Sequence, residues 1–79
     1  MNLTPQDRKD IEKATSLIIK NCRAGYRKPL AQAMAYQQLE GMMICLRKVM
    51  HIDRNQPGGL DAESYSIEEA LKKKIDMEI

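Results

Sequence analysis

The chain has 79 residues and a net charge of +2, with two cysteines and no Phe or Trp. That length allows one small domain, and a chain this short buries only about 60 to 65% of its unfolded surface. Two cysteines without a Cys-x-x-Cys exclude a disulfide framework, and the small net charge gives no independent reason to expect nucleic-acid binding.

The first predicted helix opens at Thr4-Pro5-Gln6-Asp7. Thr4 suits the cap, Pro5 the first helical position, and Asp7 the positive helix end. Ile11, Ala14, Ile18 and Cys22 then recur at helical spacing, with Leu17 beside them, and Gly25 marks a stop. The pattern predicts a helix over 5–23.

Pro29 opens a second helix, predicted over 30–51, with Gly41 its only glycine. The run Gly41-Met42-Met43-Ile44-Cys45-Leu46 is apolar almost all the way round, whereas an amphipathic helix needs one stripe. One short partner helix cannot cover several apolar faces. The expectation is a homo-oligomer formed through this central helix, with Leu39, Met42, Met43, Leu46 and Met50 at the interface. Ala31 and Ala35, one turn apart, allow another helix to approach closely. Met34, Met42, Met43 and Met50 suit either a core without aromatics or an adaptable binding surface.

Residues 53–59 are dense in turn formers. Ser66-Ile67-Glu68-Glu69 has the form of a capping box and predicts a third helix over 66–77, with Ile67, Leu71 and Ile75 as apolar positions. No strand or repeat is evident. The expected fold is all-α: one small domain over 1–79, with a long central helix packed on an N-terminal helix and a short C-terminal helix added.

Charge is unevenly placed. Residues 13–39 hold no Asp or Glu but carry Lys13, Lys20, Arg23, Arg27 and Lys28. Lys20, Arg23 and Arg27, three and four apart, would share a face of a continuing helix. Tyr26 offers a stacking surface, Gly25 lets backbone approach, and Pro29 begins a helix whose free amides can meet an anion. Lys20, Arg23, Tyr26, Arg27 and Lys28 are thus a candidate site for a phosphorylated small molecule such as a nucleotide, set against a plain solvated basic face. Gly25-Tyr26-Arg27 ahead of a helix resembles, over those three residues, small helical phage proteins that sequester cyclic nucleotides, and the resemblance implies a nucleotide ligand. Nucleic acid is a weaker fit for the same face, because Ala33-Met34-Ala35-Tyr36-Gln37-Gln38 lacks the cations of a recognition helix.

Catalysis finds no residue set. His51 is the only histidine, and nothing near Ser16, Ser64 or Ser66 suggests an activated nucleophile. Its place near the end of the second helix suits a cation at the negative dipole end. Cys22 and Cys45 sit among apolar residues and read as reduced core thiols. Asp53, Asn55, Gly58 and Asp61 partly match a helix-loop-helix calcium loop, but Pro57 and Ser64 occupy positions that need ligand oxygens and a bidentate Glu. No metal or cofactor is expected.

No apolar run is long enough for a transmembrane helix, and the polar N-terminus lacks a signal-peptide order. The expected location is the cytoplasm. Together these features predict a small non-catalytic binding protein, a regulator or inhibitor that occupies a protein partner. Such small single-domain proteins are common in phages and mobile elements. The alternatives are a sequestrant or sensor of a phosphorylated small molecule and, further off, a nucleic-acid-binding protein.

Overall fold

A computed structural model describes residues 3–50 and 60–79, and the side chains of the last segment from Glu63 onward. Three helices account for nearly all of it: α1 (Pro5–Gly25), α2 (Lys28–Val49) and α3 (Leu60–Glu78). No strand occurs among the described residues.

The start of α1 follows from its first four residues. Thr4 Oγ1 accepts from the Asp7 amide at 3.0 Å, and Asp7 Oδ2 accepts from the Thr4 amide at 2.9 Å. This reciprocal box satisfies two amides that a helix otherwise leaves unpaired. At the other end Tyr26 is extended (φ −139°, ψ 154°) and donates its amide to the Cys22 carbonyl at 3.0 Å. Gly25 closes the helix without a left-handed backbone. Only Tyr26 and Arg27 separate α1 from α2, so the two helices fold back on each other.

Cross-helix contacts fix the arrangement. Ile11 and Ala14 face Met42 and Leu46, so α1 and α2 are antiparallel. Arg47 reaches Ser64 while Tyr36 reaches Asp76, so α2 and α3 are antiparallel too. Arg8 pairs with Glu63 and Ser16 meets Lys74, which makes α1 and α3 parallel. The chain runs up, down and up, with α2 packed on both neighbours.

Burial on α2 follows one row stepping by four: Ala31, Ala35, Leu39, Met43 and Arg47. Ala31 and Ala35 let neighbouring backbones come close, while Leu39 and Met43 fill the middle of the core with no exposed surface. Ile11, Ile19 and Cys22 meet them from α1, Leu71 and Ile75 from α3. Thr15 is fully buried but satisfied, its hydroxyl donating to the Ile11 carbonyl at 2.8 Å.

Two expectations change. Leu39 and Met43 lie inside one chain and are unavailable to a second copy. Of the apolar run 41–46, Met42, Met43 and Leu46 pack within the chain, while Gly41, Ile44 and Cys45 are exposed. Met42, Leu46 and Met50 are half-buried against that core. The third helix starts at Leu60, not at residue 66, so Ser66 is no cap. Ser64, two residues earlier, is fully buried on α3 and bonded to Arg47. That tertiary contact favours helix in a stretch whose serines suit caps when read locally.

Candidate functional site

The five expected site residues lie around the α1–α2 elbow, all exposed. Tyr26 breaks the helix, so Lys20 and Arg23 remain neighbours on α1 while Arg27 becomes the N-cap residue of α2. Arg23, Tyr26 and Lys28 line one cavity of about 170 Å³ with Ala31 and Ile79. Lys20 and Arg23 line a second, of about 380 Å³, with Ser16, Ile19, Ala24 and Glu78. Arg23 belongs to both, and Arg27 to neither. Glu78 is the one acid in these linings, and it lies 3.9 Å from Lys74.

Local electrostatics at the elbow oppose the helix. Arg27 supplies no side-chain cap to α2, the first turn holds no acid, and Lys28 adds a cation there. Positive charge at a helix N-terminus is unfavourable by about 0.3 to 1 kcal/mol per group. Among the described residues, Lys20, Arg23, Arg27 and Lys28 make no ion pair. An anion there would meet free cations and free amides together.

A second polar group, which sequence reading missed, lies at the far end of α2. Arg47 is 8% exposed, Glu68 7% and Ser64 0%. Arg47 Nε donates to Ser64 Oγ at 2.9 Å, and its Nη2 lies 3.0 Å from Glu68 Oε1. The guanidinium stacks 3.8 Å from the centre of the Tyr65 ring. Lys72 Nζ bridges Glu40 at 3.0 Å and Glu68 at 3.5 Å. The hydrogen bond to Glu40 holds the Lys72 ammonium above its ordinary value against the pull of burial, and the charges of Glu40 and Glu68 add to it. Each charge in this seam has a partner, so it joins α2 to α3 and leaves no group poised for chemistry. The available signal was spacing: Arg47 falls four residues after Met43, on the buried row.

The third feature is the side of α2 turned away from both neighbours. At about 100° per residue, Leu30 lies opposite the buried row. Leu30, Ala33, Gln37, Gln38, Gly41, Ile44 and Cys45 are all exposed there without charge, and exposed Lys48 follows them in the last turn of the helix. Leu30 and Ile44 are 52% and 53% exposed. By contrast, α1 exposes Lys9, Glu12, Lys13, Ser16 and Lys20. Cys45 is thus a surface thiol, not the expected core one, while Cys22 is buried.

His51 and residues 53–59 of the calcium-like loop lie outside the described residues. Among the described residues, no group of three His, Cys, Asp or Glu is placed to hold a metal. No helix there is long and apolar enough to cross a membrane. A scan against protein-family models and searches of curated proteins and of solved structures found no match to this chain.

Proposed function

We propose that the chain is a non-catalytic binding protein, a regulator or inhibitor in the cytoplasm, that works through the outer face of α2. One observation carries this reading: from Leu30 to Cys45 the side of the longest helix opposite its buried row carries no charge and includes half-exposed Leu30 and Ile44. Exposed helix faces normally carry charge, and contiguous apolar surface marks interaction sites. A groove of about 260 Å³ between α1 and α2 is lined by Ile11, Ala14, Met42 and Leu46 together with the acids Asp7 and Asp10. Association through α2 fits the expected oligomer, but by residues other than Leu39 and Met43.

The test compares the tagged chain with Ile44→Lys in capture from the native host and in self-association. The variant keeps its helicity, because Ile44 lies outside the core, and loses the associated protein or second copy. Equal capture and equal self-association in both proteins would refute the reading.

A second reading rests on the elbow. Arg23 and Lys28, without an ion pair among the described residues, suit a phosphate or nucleotide beside Tyr26 and a helix start with no side-chain cap. Its test is nucleotide affinity: Arg23→Ala with Tyr26→Ala lowers it at least tenfold, and an unchanged affinity removes the site.

A further inference from the structure

Resting on the reading of the elbow as a phosphate site, we infer that its ligand is a small phosphomonoester with hydrogen-bond donors on its unphosphorylated end. The phosphate lies between Arg23 and Lys28, and the other end reaches Glu78.

Two cavities share Arg23, and they differ in charge. The smaller, of about 170 Å³, sets Arg23, Tyr26 and Lys28 around Ala31 and Ile79 and holds no acid. A guanidinium, an ammonium and a phenol all donate, and an arginine offers a phosphate two parallel N–H bonds. The larger, of about 380 Å³, adds one cation, Lys20, and one acid, Glu78. Apart from the shared Arg23 its charges therefore cancel. The helix α3 ends at Glu78, so the negative end of its dipole lies there too.

That contrast gives the ligand two unlike ends. A second phosphate in the larger cavity would meet a carboxylate and a helix end of its own sign. A hydroxyl or an amine would instead donate to Glu78, whose contact with Lys74 is long, at 3.9 Å, and exposed. Ser16 accepts from Lys74 at 3.1 Å and keeps its own hydroxyl hydrogen for a ligand. A polyanion draws on the cations alone and gains nothing from Glu78.

Size agrees with charge. Both cavities reach down to the core, since Ala31 in the smaller is 1% exposed and Ile19 in the larger 3%. An apolar floor under a few polar groups is the pattern of small-molecule sites, which span about 300 to 1,000 Å³. The smaller cavity falls below that range and suits a phosphate group. The larger falls within it and suits the body of the molecule.

Calorimetric titration of the full chain with inorganic phosphate, pyrophosphate and adenosine monophosphate tests the inference. Adenosine monophosphate is expected to bind at least tenfold tighter than phosphate, and tighter than pyrophosphate. Arg23→Ala weakens all three at least tenfold. Glu78→Ala inverts the preference, lowering the affinity for adenosine monophosphate and raising that for pyrophosphate. Arg23 and Glu78 are both exposed, so the variants keep the native helicity, which circular dichroism checks. Arg23-dependent phosphate binding without a preference for adenosine monophosphate overturns the inference and spares the elbow as an anion site. A preference that Glu78→Ala leaves intact does the same, as does tightest binding of pyrophosphate. If none of the three binds in an Arg23-dependent way, the site and the inference fall together.

Discussion

At one end of α2, Arg47 is buried with a hydroxyl, a carboxylate and an aromatic ring around it. At the other, Arg27 and Lys28 stand exposed beside a helix terminus of the same sign, with no carboxylate among the described residues paired to them. Both ends are basic, but the chemistry differs. Arg47 completes the α2–α3 contact, and the elbow cations work against the helix they begin. Charge with every partner inside the chain holds a fold, whereas charge without one is open to something from outside.

The largest expected effect breaks the paired end. Glu68→Ala leaves the Arg47 guanidinium buried without its carboxylate, and removing one partner of a buried pair costs about 3 to 5 kcal/mol. That is a large share of the roughly 5 to 15 kcal/mol available to a small domain. Urea unfolding should show a midpoint shift of that size with an unchanged slope. The double variant Arg47→Met with Glu68→Leu should recover most of the loss, because an apolar pair of similar volume is often neutral or stabilising. A double variant as unstable as Glu68→Ala would mean the seam does more than satisfy its own charges.

Cation removal at the open end should have the opposite sign. Arg27→Asp places a capping carboxylate at the start of α2, where a good N-cap residue adds about 1 kcal/mol. The expected outcome is a higher melting temperature together with weaker phosphate or nucleotide binding. A gain in stability without change in anion affinity would leave the elbow an ordinary wet surface. A loss of stability would show that Arg27 has a role within the fold.

Particular residues show how far the sequence carries. Thr4, Pro5 and Asp7 announce the start of α1, and Gly25 through Pro29 announce the elbow, since both signals are local. The start of α3 is not local. Ser66 carries the capping-box signature in sequence, whereas in the fold Ser64, bonded to Arg47 seventeen positions away, already lies within the helix. Leu39 and Met43 drop out of the expected interface for a related reason. An apolar run gives the faces of a helix but not which of them its own neighbours cover. Leu39 and Met43 went inside, and Ile44 and Cys45 stayed out. Arg47 was hidden by its charge, although the row of Ala31, Ala35, Leu39 and Met43 points to it.

Lys72 gives the smallest effect and the finest probe of the paired end. Its pKa in the folded chain lies above the ordinary 10.5, first through the hydrogen bond to Glu40. For a base raised on folding, the unfolded chain loses the proton first. The stabilisation is therefore complete below pH 10.5 and is lost as pH rises through the folded value. The native chain should lose stability in that alkaline window more steeply than Lys72→Met. Other lysines and the tyrosines titrate there in both proteins, so the difference between the two curves isolates this contact. Lys72 is about a quarter exposed, so the difference is screened and should shrink in high salt. Glu40→Gln should remove most of it while leaving the Arg47–Glu68 pair in place. Parallel curves for the native chain and Lys72→Met would place the stability of the seam in Arg47, Ser64 and Glu68 alone.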